Sequence, residues 1–220
     1  MDTLPDDPTL DEVRAFLGGR LATQATFDGW HPAAIDNAAA EAGIDPGMAR
    51  LAFPDGPVDM IDAWFAFVDR AMAEALPAET LQAMKIRERI RALVTFRLET
   101  VATDREALRR ALAVLAMPQN IPAATRLGWR TVDRMWRLAG DTAADFNHYT
   151  KRLTLSALYA STILVFLDDE SEDFADTRAF LDRRIQNVMD FEKSKAKLVE
   201  RREHLPSLSR FIGRLRYPAA

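Results

Sequence analysis

Pro32-Ala33-Ala34-Ile35-Asp36-Asn37-Ala38-Ala39-Ala40-Glu41-Ala42, then Gly43-Ile44-Asp45-Pro46-Gly47, Met48-Ala49-Arg50-Leu51-Ala52 and Phe53-Pro54-Asp55-Gly56 follow one another without interruption. The first block is small and alanine-rich, a composition that favours helix. The second gathers Gly, Asp and Pro and reads as a tight turn. The third has room for a short second helix, and the aromatic-proline block closes it. Beyond Gly56, Val58 to Leu76 places Ile61, Trp64, Phe65, Val68 and Met72 at spacings of three and four, the period of an amphipathic helix.

The same period continues outward. Asp11 to Thr26 puts Val13, Phe16, Leu17, Leu21 and Ala25 on one stripe, and Thr80 to Val101 carries Met84, Ile90, Leu93, Val94, Leu98 and Val101. Pro118 and Pro122 bracket a break. Pro122 to Ala139 reads as a helix closed by Gly140, with Asp141 as the N-cap of a following helix that runs from Thr142 to about Leu167. Asp168 to Ser171 is a charged turn, and Asp173 is the expected cap of a last helix reaching about Arg202. Segments of strict alternation are missing, as are internal repeats and low-complexity tracts. The fold class is therefore all-α.

Residues 28–62 contain one basic residue, Arg50, against Asp28, Asp36, Glu41, Asp45, Asp55, Asp59 and Asp62, a net charge of −6. This matters because the order of helix, turn, short helix, aromatic-proline exit and long helix resembles the N-terminal domain of TetR-type regulators. In that scheme Pro46 to Ala52 is the recognition helix. Affinity for DNA comes largely from Lys and Arg on phosphates, and Arg50 is the one candidate in the short helix for reading a base edge. The expectation is a helix-turn-helix scaffold retained without DNA binding.

The whole chain supports this. Its 220 residues carry a net charge of −4, with 48% hydrophobic and 28% charged residues, the balance of a globular protein. There is no cysteine, which excludes disulfides and thiolate metal sites. The N-terminus is acidic and has no apolar run, unlike a signal or transit peptide. The longest uncharged apolar run, Leu153 to Leu167, is fifteen residues, short of the roughly 20 that span a bilayer. The expected location is cytoplasmic. Asp145-x-x-His148 has the spacing of two metal ligands, but a carboxylate-bridged di-iron bundle needs two such pairs plus further glutamates. His31 and His204 lie far off in sequence, and no metal or other cofactor is expected. Neither a nucleophile elbow nor a Gly-rich phosphate loop is present, so the chain reads as a non-enzyme.

The C-terminus changes character. Glu192 to Arg216 has a net charge of +5, and after Pro206 the side chains Leu208, Phe211, Ile212 and Leu215 share a face while Arg210 and Arg214 lie largely elsewhere. A short basic amphipathic helix suits an anionic membrane surface, and equally a helix packed on the protein body.

Several separated blocks carry a second resemblance: Gly29-Trp30-His31-Pro32-Ala33-Ala34-Ile35, Leu115-Ala116-Met117-Pro118-Gln119-Asn120-Ile121-Pro122, Met135-Trp136-Arg137-Leu138-Ala139-Gly140-Asp141, Asp145-Phe146-Asn147-His148-Tyr149-Thr150-Lys151-Arg152 and Asp173-Phe174-Ala175-Asp176-Thr177-Arg178-Ala179-Phe180-Leu181. In this order they resemble the ninth member of the coenzyme Q biosynthesis protein set, the COQ-nine family. The resemblance implies a TetR-like fold with a degenerate N-terminal three-helix domain (1–75), a larger helical domain for lipid binding and dimerisation (76–190) and a basic amphipathic tail (191–220). It implies a homodimer without chemistry of its own that binds an isoprenoid lipid or ubiquinone precursor and supports a di-iron demethoxyubiquinone hydroxylase, peripherally attached to the inner membrane. Composition alone describes Leu112, Met117, Trp129, Val132, Met135, Trp136, Leu155, Tyr159 and Ile163 as core; the resemblance makes them the lipid-pocket candidates. It makes Asp145, His148, Tyr149 and Arg152 the candidates for meeting the hydroxylase, His148 standing where relatives often have tryptophan. It turns Leu208, Phe211, Ile212, Leu215, Arg210 and Arg214 toward a membrane. The alternative reading is a ligand-responsive transcription regulator of the TetR type.

Overall fold

A computed structural model describes residues 4–143 and 146–203, with Phe146 and residues 192–203 described by backbone alone. The described residues are helical, without a strand. The helices are α1 (Leu10–Asp28), α2 (Pro32–Ala42), α3 (Pro46–Leu51), α4 (Pro57–Ala75), α5 (Ala78–Gln82), α6 (Ile86–Thr100), α7 (Arg105–Leu115), α8 (Ile121–Leu138), α9 (Phe146–Asp168) and α10 (Ala175–Glu203). They divide into two compact units, residues 1–181 and 182–220.

The first four helices form for local reasons. The Thr9 hydroxyl accepts from the Glu12 backbone N–H while the Glu12 carboxylate accepts from the Thr9 N–H, a capping box at the start of α1. The stripe of α1 is buried at Val13, Leu17, Leu21 and Ala25. Gly43 ends α2 in the left-handed conformation (φ +69°), and the Asp45 carboxylate then caps α3 by accepting from Met48 N–H at 2.9 Å. Phe53 is buried at the exit of α3. Trp30, between α1 and α2, packs on Trp64 of α4 and donates its indole N–H to the Ala107 carbonyl of α7 at 3.0 Å. α1 and α4 thus pack on each other and on α7, and α4 also packs on α6 and α8. These contacts cross residue 75, so the packing is continuous there.

Three local expectations are corrected. The single helix expected from Thr80 to Val101 is two, α5 and α6. Arg89 makes the break by donating to the Met84, Gln82 and Ala139 carbonyls. The Glu88 carboxylate meanwhile accepts from the Lys85 N–H at the start of α6. Asp141, expected to cap a helix starting at Thr142, does not adjoin it, because α9 begins at Phe146; its carboxylate accepts from Lys151 Nζ (2.6 Å) and Arg152 (2.9 Å) of α9 and from the Ala143 backbone N–H. Burial opposes its charge, yet the two cations and the Ala143 N–H hold its pKa below the usual value. Asp173 does not cap the last helix; it sits in a 3-10 turn at φ +51°. That role falls to Ser171, whose hydroxyl accepts from Asp176 N–H, and to Asp169, whose carboxylate accepts from the N–H and hydroxyl of both Ser171 and Thr177. Burial opposes ionisation of Asp169, but these donors bring its pKa down to about 2. As expected, Gly140 closes α8, at φ +89°.

Two helical glycines differ in what surrounds them. A Cβ on Gly18 would lie 2.7 Å from the Ala63 carbonyl oxygen of α4, whereas one on Gly128 of α8 would meet nothing within 4 Å. Helix propensity favours alanine by about 1 kcal/mol at either site. At Gly18 forcing two packed backbones apart costs about 1–3 kcal/mol, and the clash wins. Gly18→Ala will therefore lower Tm and Gly128→Ala will raise it by a few degrees each, as read by thermal unfolding; a rise for both would refute the close α1–α4 approach. The depressed Asp169 pKa contributes stability that is present above the unfolded pKa near 4 and lost as pH falls toward 2, about 2 kcal/mol in all. In urea unfolding, the stability gap between wild type and Asp169→Asn will be full above about pH 5 and shrink between pH 4 and 2; a pH-independent gap would contradict it.

Candidate functional site

Inside unit 1 the helices leave a cavity of about 350 Å³. Its walls come from helix faces whose spacing aims them inward. α7 contributes Leu108, Leu112 and Leu115; α8 contributes Ala124, Leu127, Gly128, Thr131 and Val132; α9 contributes Ser156, Tyr159, Ala160 and Ile163. Phe65 of α4, Arg97 of α6 and Val101 add to it. Small residues make the opening: Ala116, Gly128 and Ala160 line the cavity and are exposed to solvent.

One end of the cavity is polar. Arg97 and Asp69 are 3% and 2% exposed and form an ion pair. The Arg97 Nε–H donates to the Tyr159 hydroxyl at 3.0 Å. Burial works against the Arg97 charge, but Tyr159 and Asp69 raise its pKa further above the usual value. The second Asp69 oxygen has no hydrogen bond and lies 3.6 Å from Arg130 Nε. Arg130 is held in turn by Asp62, which also takes Arg14 of α1 at 3.2 Å. A chain of alternating charges thus ties α1, α4, α6 and α8 together.

Outside, the aromatic side chains of α8 and α9 cluster. Tyr149, 57% exposed, meets Trp129 (ring centroids 6.0 Å) and the edge of His148 (5.2 Å). His148 is fixed by its Nδ1 at 3.0 Å from the Ala143 carbonyl. Exposed apolar residues continue the same α9 face as Tyr149, Leu153, Ala157, Ala160 and Leu164, and Ala160 joins it to the cavity opening.

Of the pocket candidates, Leu112, Val132, Tyr159 and Ile163 line the cavity. Five do not. Met117 is exposed beyond the end of α7, and Met135 and Leu155 are buried elsewhere in the core. Trp129 belongs to the outer aromatic cluster, and Trp136 donates its indole N–H to the Lys151 carbonyl. Among the partner candidates, His148 and Tyr149 stand together. Arg152 is 2% exposed, and its guanidinium is bound by Asp133 at 2.7 Å and Asp141 at 2.9 Å. Asp145 and the tail residues Leu208, Arg210, Phe211, Ile212, Arg214 and Leu215 lie outside the described residues. Sequence reading missed Phe65, Arg97, Gly128 and Thr131. The signal for Arg97 was present: it falls in step with Leu93 and Val101 on an apolar stripe, as Asp69 does with Phe65 and Met72. Opposite charges on two core-facing stripes predict each other.

Arg50 of the short helix α3 is held by Asp36 of α2 in a two-pronged pair at 2.8 and 2.6 Å. Among the described residues, no helix is long and apolar enough to cross a membrane.

Comparison with known proteins bears on both halves of the molecule. A crystal structure of the TetR transcriptional regulator from Nitrosomonas europaea matches 82% of this chain and 97% of that one, with a TM-score of 0.60 and 25% sequence identity; the fold is TetR-like. Over 168 residues the chain is 34% identical to a mitochondrial protein of Rattus norvegicus named ubiquinone biosynthesis protein COQ9, covering 74% of this chain and 54% of that protein. The Homo sapiens protein of the same name is 33% identical over 169 residues, covering 74% and 53%. The chain thus spans about half the length of the curated relatives it matches. Residues 121–192, which include α8 and α9 with one wall of the cavity and the aromatic cluster, match the family model COQ9. The chain belongs to the COQ9 family.

Proposed function

We propose that this protein serves ubiquinone biosynthesis as a non-catalytic carrier: its cavity holds an isoprenoid precursor of ubiquinone and yields it to a membrane-associated di-iron demethoxyubiquinone hydroxylase. The observation that carries the reading is the cavity itself. Its volume, about 350 Å³, falls within the roughly 300–1,000 Å³ typical of small-molecule sites, and its walls are mostly apolar. The relatives' names support the pathway. The exposed α9 face around Tyr149 is the proposed meeting place with the hydroxylase, because it runs from the aromatic cluster to the cavity opening. A homodimer, and contact of residues 205–220 with the inner membrane, complete the proposal.

The likeness to a transcriptional regulator favours a second reading, ligand-controlled DNA binding. The charge pattern opposes it. Residues 28–62 carry a net −6, and Arg50, the one base-reading candidate, is neutralised by Asp36. Salt-dependent promoter binding at submicromolar protein would restore that reading.

Gently purified wild-type protein will carry an isoprenoid or quinone mass in native mass spectrometry, recoverable in organic extract. Gly128→Phe adds a ring at the cavity opening, where a Cβ meets nothing within 4 Å, and will lose the bound mass while thermal unfolding still shows a folded protein. Wild-type protein that is empty and takes up no added quinone would overturn the proposal. Deleting residues 205–220 will weaken binding to anionic liposomes; unchanged binding would remove the tail from the membrane contact.

A further inference from the structure

Two hydroxyl groups on the cavity wall have hydrogens to give and no acceptor among the described residues. Tyr159 accepts from Arg97 Nε–H, which occupies a lone pair of its oxygen and leaves its own O–H to donate. Thr131 is 2% exposed, lines the same cavity, and makes no hydrogen bond with any described residue. Covering such a donor with hydrocarbon alone would take away its access to water and give no hydrogen bond in return. The Arg97 guanidinium polarises the Tyr159 O–H and makes it a better donor. Asp69 balances the Arg97 charge, so this end of the cavity is near neutral and suits an uncharged acceptor rather than a carboxylate or phosphate.

Size narrows the choice. About 350 Å³ is near the lower limit for small-molecule sites and too little for a long polyprenyl chain with its ring. A hydrocarbon segment in the cavity would leave both hydroxyls unpaired; a ring oxygen would satisfy them.

We propose that the cavity is the site for the oxygenated ring of the ligand, a quinone or phenol oxygen accepting hydrogen bonds from Tyr159 and Thr131, with the isoprenoid tail leaving between Gly128 and Ala160. This rests on the cavity being the lipid site. The ring is then sheltered inside and the tail lies outward along the apolar face of α9.

The test compares two probes, a ubiquinone with one isoprene unit and the oxygen-free isoprenoid farnesene. The quinone is measured by titration calorimetry and farnesene by displacement of it, on wild type, Tyr159→Phe and Thr131→Val. Each substitution removes one donor and nearly preserves shape, and Thr131→Val leaves Arg97 untouched. Each will weaken quinone binding roughly 3- to 10-fold, the worth of one hydrogen bond, with farnesene changed less than about twofold. Quinone affinity unchanged in both variants, or equal losses for both probes, would overturn the ring site while leaving the carrier role intact. Wild-type protein that binds neither probe would overturn the carrier role and this site with it.

Discussion

The buried pair of Arg97 and Asp69 is the constraint around which the cavity is arranged. It joins α6 to α4 inside the core and leaves Arg97 Nε to fix the Tyr159 hydroxyl of α9. A pair this deep is weak evidence for stability, since apolar replacement is often neutral, but losing one partner strands a charge at a cost of about 3–5 kcal/mol. What the pair supplies is position. It sets three helices in a fixed relation and puts a polar end on an otherwise apolar cavity. The second chain of charges, from Arg14 through Asp62 to Arg130, extends the tie to α1 and α8, so the N-terminal helices and the cavity form one electrostatic unit.

That tie gives the helix-turn-helix scaffold a structural role that does not depend on its surface charge. α4 is at once the last helix of the N-terminal group and a wall of the cavity, through Phe65. Its inner face is needed to build the cavity whatever the outer surface does. The acidic outer surface is consistent with this division: Asp36 holds Arg50, and α2 and α3 remain as packing for α1.

The helical fold was legible because its punctuation is local. Gly43, Asp45 and Pro46 mark the turn between α2 and α3 with their own side chains and backbone. The break between α5 and α6 was not, because Arg89 makes it with carbonyls from residues 82, 84 and 139, and no Gly or Pro marks the site. Asp141 is not the cap because α9 begins only at Phe146, and its charged partners Lys151 and Arg152 come from further along that helix. The cavity was legible only in outline. Hydrophobic period tells that Trp129, Val132 and Met135 face away from bulk water, but not that Val132 faces a void, Met135 packed core and Trp129 a surface cluster. That distinction depends on small residues opposite, Gly128 and Ala160, which carry no apolar signal of their own.

The most direct test of the ring-in, tail-out arrangement is a crystal structure of the protein with a ubiquinone bearing one isoprene unit. The predicted result is the ring within the cavity, one of its oxygens in hydrogen-bonding reach of Tyr159 and Thr131. The ring bound instead at the surface near Trp129 and Tyr149, with hydrocarbon filling the cavity, would contradict it.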